Sequence, residues 1–73
     1  MKINQLQQKI GQKIRELRES KGITQQDLAA ACNFEKTNLS RIEAGRSNPT
    51  ISTLHKISQA LEITISELVD VEV

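Results

Sequence analysis

The side chains with the most to offer chemically lie in one stretch, Thr24–Glu43, TQQDLAAACNFEKTNLSRIE. It reads as two short helices joined by a tight turn, with the apolar residues facing one way. The outward face of the second helix carries polar groups suited to hydrogen bonding. That is the layout of a helix-turn-helix, a unit whose second helix enters the major groove of DNA. Bond-making chemistry has no comparable foothold. His55 stands alone, with no second histidine and no cysteine partner, so neither a metal site nor a bound cofactor is expected. Cys32 is the single cysteine, which excludes an internal disulfide, and it falls on the apolar side of its helix as a small core residue. No Ser/His/Asp constellation, glycine-rich phosphate loop or paired-carboxylate cleft is discernible. An enzyme is not expected, nor a small-molecule ligand.

Those polar groups need a frame, and the apolar periodicity supplies one. Ile3, Leu6, Ile10, Ile14 and Leu17 recur at intervals of three and four, one stripe of a first helix. Asn4 with Gln7 three residues later predicts its N-terminal cap, and Lys21-Gly22 its end. Thr24 caps the second helix with Asp27 at the third position, and Leu28, Ala29 and Cys32 form its buried side. Asn33 sits at the turn, where a residue tolerant of the left-handed conformation is wanted. The third helix is predicted over Glu35–Ala44, burying Leu39 and Ile42 and closing on Gly45. After the loop Arg46-Ser47-Asn48-Pro49, Thr50 caps a fourth helix striped by Ile51, Leu54, Ile57 and Leu61. Thr64 with Glu67 starts a short fifth helix carrying Ile65, Leu68 and Val69.

Composition agrees with this all-α reading. The chain has 73 residues, one aromatic residue (Phe34) and no long alternating β-branched run, so a modest aliphatic core of one domain is predicted. Residues 10–69 form the expected core and 70–73 a tail. No apolar stretch approaches the length of a membrane span and no signal-peptide pattern is seen, pointing to a cytoplasmic protein with no membrane partner. The net charge of +1 hides an asymmetry. All ten Lys and Arg lie between Lys2 and Lys56 with five acids, whereas the tail from Ile57 has four acids and no base. A basic body could face phosphates while an acidic end points elsewhere; an ordinary mixed surface would read the same way. The terminal run Val69-Asp70-Val71-Glu72-Val73 alternates apolar and acidic residues. Such an end commonly frays, and the alternation would also suit a pairing surface.

The order of parts resembles the Cro/repressor-type helix-turn-helix proteins, the XRE family, with their lambda-repressor-like fold. The matching text is KIRELRESKGITQQDLAAACNFEKTNLSRIEAGRSNPTISTLHKISQAL, followed by ITISEL, and it covers roughly residues 10–69. The resemblance implies a prokaryotic or phage regulator of transcription, with double-stranded DNA as partner. By position it places Lys36, Thr37, Asn38 and Arg41 where side chains reach base edges. Lys36 and Arg41 can donate to guanine, Asn38 can pair with adenine, and the Thr37 methyl can meet thymine. Gln25, Ser40, Arg46, Ser47 and Asn48 would meet the phosphate backbone. Ala29 must be small where helix 3 crosses it. Arg18 and Glu43 match a pair that forms a salt bridge between helices 1 and 3.

A monomer of this kind contacts too few base pairs to single out one genomic site, so a homodimer on a palindromic operator is expected. The resemblance puts the dimer contact on helix 5 and the loop before it, here Ile63, Ile65, Val69 and Val71. Small phage Cro-like proteins and restriction–modification controllers are close analogues. The alternative is an antitoxin-type module, in which protein binding is the main task and DNA binding autoregulatory. Two departures stand out. The family favours glycine after helix 4, where Glu62 would be strained at positive φ, so that helix is expected to end differently. Glu35 opens helix 3 with a carboxylate that repels phosphate; it either caps the helix or accepts from a cytosine amino group.

Overall fold

Five helices account for the regular structure of this computed structural model, which describes residues 3–72: α1 (Ile3–Ser20), α2 (Gln25–Cys32), α3 (Lys36–Glu43), α4 (Ile51–Ala60) and α5 (Ile65–Leu68). Met1, Lys2, Val73 and the Ile3 side chain, part of the expected first stripe and tail, lie outside the described residues. α1 packs on α3 and α5, α2 on α3 and α4, and α4 on α5. Every helix therefore presents one stripe to a shared core of Ile14, Leu28, Ala29, Cys32, Leu39, Ile42, Leu54, Ile57, Leu61 and Leu68. Ile10, Leu17, Ile23, Phe34, Ala60, Ile63 and Ile65 close over its edges. Within the helices these are residues that the three-and-four spacing brings to one side; Ile51, expected on the α4 stripe, is instead exposed at the first position of that helix.

Three of the five helix starts follow the threonine-cap chemistry. Thr24, Thr50 and Thr64 are extended N-caps whose hydroxyls accept from the amides of Asp27, Thr53 and Glu67. α1, by contrast, is already helical at Ile3. Asn4 is a first-turn residue and not the cap, because an apolar stripe fixes a helix interior more tightly than its first residue.

The ends of α1 to α4 repeat a single device. Gly22, Asn33, Gly45 and Glu62 all take positive φ. In each case the amide of that residue and the next reach back to close a Schellman-type motif: Asn33 to Ala30 and Phe34 to Ala29, Glu62 to Gln59 and Ile63 to Ser58. Glu62 at φ 58° corrects the expectation of a different ending for α4. The two terminal hydrogen bonds hold it in a conformation costing a non-glycine residue about 1 kcal/mol.

The tail is a second correction. Through Glu72 it lies back on the first helix, where Lys9 Nζ donates to the Glu72 carbonyl oxygen at 2.8 Å. Asp70, Val71 and Glu72 share a recess with Lys9 and Lys13. The acidic end faces bases of its own chain, because α5 sits directly against α1. Val71 is thereby half-buried within the chain, and its amide donates to the Val69 carbonyl.

Candidate nucleic-acid interface

The candidate recognition surface is built on α3, whose sequence KTNLSRIE buries Leu39, Ile42 and Glu43 and leaves the rest outside. Lys36, Thr37, Asn38, Ser40 and Arg41 are all exposed. Thr37, Asn38 and Arg41 line one shallow recess together with Asn33, Phe34 and Glu35. Thr37 and Arg41, four residues apart, stack on one face of the helix. Lys36 faces another recess with Arg15, Arg18, Thr24, Gln25 and Gln26, at the start of α2.

The far end of α3 is held by charge. Arg18 is only 8% exposed and Glu43 7%, which places both in the core wall. Arg18 Nε donates to Glu43 Oε2 at 2.8 Å and Nη2 to Oε1 at 3.1 Å, a two-pronged pair. The remaining guanidinium nitrogen, Nη1, donates to the Ile23 carbonyl oxygen at 2.8 Å. The hydrogen bond to Glu43 is the main cause that raises the Arg18 pKa above its usual value, with burial opposing it. Gln25 completes the cluster, its Nε2 donating to Glu43 Oε1 at 3.0 Å. The Glu43 carboxylate thus ties α1 and α2 to the last turn of α3, and Arg18 adds the loop after α1. Among the described residues no buried side-chain nitrogen or oxygen lacks a partner.

Packing reinforces the clamp, in part through Gly11, which carries no mark of its role in the residue spacing. Gly11 sits buried in the middle of α1, where glycine weakens a helix by about 1 kcal/mol relative to alanine. A methyl group there would be driven into the carbonyl oxygens of Ile42 and Glu43, within 2.7 Å of the latter. Gly45, at φ 74°, meets Gln8 in the same way, with a Cβ only 2.6 Å from the Gln8 Cα. Glycine within an otherwise strong helix was the available signal, since it often marks close backbone approach. Ala29 is likewise buried on α2 where α3 packs.

Apart from Gln25, the other predicted residues fall outside this cluster. Arg46, Ser47 and Asn48 occupy the loop between α3 and α4, with Arg46 and Asn48 exposed and Ser47 half-buried. Gln25 directs its side-chain amide inward to Glu43, while its backbone N–H belongs to the first turn of α2. Ile63, Ile65 and Val71 are half-buried, and Val69 is exposed beside them. His55 is exposed, and Cys32 is buried with its thiol 3.7 Å from the Lys56 carbonyl oxygen. Burial pushes that thiol's pKa up, and Lys56 pulls weakly the other way.

A small helical bundle that fixes one helix by its buried end and presents that helix's polar face to solvent is the architecture of a DNA-binding transcriptional regulator. The chain belongs to the HTH_3 helix-turn-helix family, whose model matches residues 14–68. It is 42% identical over 60 residues to the HTH-type transcriptional regulator y4dJ of Sinorhizobium fredii, covering 82% of this chain and 78% of that one. Among solved structures it resembles the restriction–modification controller protein C.AhdI from Aeromonas hydrophila. That match has a TM-score of 0.82 and 34% identity, over 84% of this chain and 92% of that one. It also resembles SinR, a master regulator for biofilm formation solved in complex with DNA. There the TM-score is 0.78 and the identity 37%, over 84% of this chain and 98% of that one. Two further curated relatives are longer proteins, of which the chain spans 48% and 44%.

Proposed function

We propose that this protein is a sequence-specific transcriptional regulator that binds a palindromic operator as a homodimer, α3 lying in the major groove of each half-site. The observation that carries this reading is the polar face of α3 held out from a helix whose other side and last turn are locked into the core. A reader of base edges needs both properties, since an aim that wanders by an ångström loses its hydrogen bonds. Lys36, Thr37, Asn38 and Arg41 then contact bases, while Ser40, Arg46, Ser47, Asn48 and the first-turn amide of Gln25 meet phosphates. The fold shared with SinR, solved on DNA, supports the reading. The likeness to C.AhdI favours a controller or repressor type of regulator. No enzymatic step is part of it.

Dimerisation follows from the arithmetic of search: one helix reads a few base pairs, and a genome offers millions of competing sites. The contact would use Val69, exposed among Ile63, Ile65 and Val71, on the end of the molecule that carries α5. Selection of random duplexes by the purified protein at near-physiological salt tests the proposal. A palindrome with half-site centres about 34 Å apart is the expected product. Recovery of DNA without any enriched sequence would overturn site-specific reading and turn attention to a protein partner.

A further inference from the structure

The start of α3 is built unlike that of α2, α4 and α5. Those three are capped by threonines whose hydroxyls accept from the third amide of the helix. Glu35 has the same extended cap geometry, φ −73° and ψ 143°, yet its side chain makes no cap hydrogen bond. Among the described residues its carboxylate has no ion pair or hydrogen bond, although it is exposed. It lines the recess shared by Thr37, Asn38 and Arg41. Of the two roles open to it from sequence, capping is therefore not the one adopted.

Resting on the major-groove reading above, we propose that Glu35 is a specificity determinant accepting a hydrogen bond from the N4 amino group of one cytosine in each half-site. A carboxylate has only acceptor oxygens, so it gains from a groove edge only where that edge offers a donor. The major groove has two donors, the amino groups of cytosine and adenine. Adenine sets its N7 lone pair beside the amino group, where a carboxylate oxygen is repelled; cytosine sets a C–H there. Guanine and thymine oppose the carboxylate with acceptors. Repulsion between Glu35 and the phosphates weakens binding to every duplex alike, and the cytosine contact offsets it at one sequence only. The difference between right and wrong sites widens as a result.

The test is parallel selection of random duplexes by the full chain and by Glu35→Gln and Glu35→Ala. The wild type should fix cytosine at one position of each half-site. Glu35→Gln should move that position to adenine, whose N6 and N7 suit an amide, and Glu35→Ala should leave it open with the rest of the consensus unchanged. On the selected operator, N4-methylcytosine at that position removes the groove-facing hydrogen while keeping the base pair. It should weaken wild-type binding about tenfold and leave Glu35→Ala unaffected. A single consensus for all three proteins, with the alanine variant binding every duplex more tightly, would overturn the assignment and leave only phosphate repulsion. A wild type that enriches no operator would instead overturn the DNA reading beneath it.

Discussion

The two ends of α3 follow opposite rules. At its C-terminal end the last turn is locked by the Arg18–Glu43–Gln25 cluster and by two glycines that admit backbone contact with α1. At its N-terminal end the cap side chain is unused and three successive polar residues, Lys36, Thr37 and Asn38, are exposed. One end holds the helix still; the other is free to carry whatever side chains the target requires. A buried ion pair is poor at adding net stability and good at specifying one geometry, which is what the locked end needs. The exposed end adds little to folding, so its residues are open to selection for recognition.

Substitutions at the two ends should separate folding from recognition. The largest effect is expected at Glu43→Ala, which leaves the Arg18 guanidinium buried without its carboxylate. Unfolding in urea should show a loss of about 3–5 kcal/mol; a loss under 1 kcal/mol would mean that the cluster does not hold α3. Gly11→Ala comes next, forcing α1 away from the Ile42 and Glu43 carbonyls. Overpacking of this kind costs about 1–3 kcal/mol, whereas a looser contact would reveal the helix-propensity gain and stabilise the protein. The sign of the change in urea midpoint therefore tests how closely the two helices approach.

Arg41→Ala, on the open face, should leave stability unaltered while weakening the selected operator by about 1–3 kcal/mol and relaxing one base position. Equal losses on all duplexes would move Arg41 from base reading to phosphate binding. Arg46→Ala should give the smallest change, a uniform weakening with the slope of log affinity against log salt reduced by about 1. An unchanged slope would remove Arg46 from the phosphate contacts.

Cys32 gives a pH signature away from both ends. Burial raises its folded pKa, so the unfolded chain releases the thiol proton first as pH rises. Its contribution is fully present below the ordinary thiol value and is lost as pH climbs through the raised one. Cys32→Ala should flatten that alkaline decline in urea midpoint.

Much of the fold could be read from residue spacing because helices are local. The three-and-four stripes named the helical part of the core apart from the exposed Ile51, threonine with an acid three residues on gave two of the three observed threonine caps, and Asn33 marked the turn. The resemblance carried the Arg18–Glu43 pair to its place, which spacing alone could not have done. Other features depend on parts of the chain that meet only after folding. Gly11 reads as a weak point in a helix until α1 is laid on carbonyls more than thirty residues away. That the Gln25 side chain is bound to Glu43 could not be read from its place at the start of α2. The tail reads as either a loose end or a pairing surface until Lys9 takes the Glu72 carbonyl, and Glu62 as a misfit until the end of α4 fixes it at positive φ.

The sequence by itself determined which segments are helical, which side of each is apolar and which side chains α3 can show to a target. Those properties depend on neighbours three or four residues away. Only the tertiary structure decided how α3 is aimed, which polar groups are consumed in aiming it, and that Glu35 is left with its carboxylate unspent. Those outcomes depend on distances between segments remote in the chain, and residue spacing does not encode such distances.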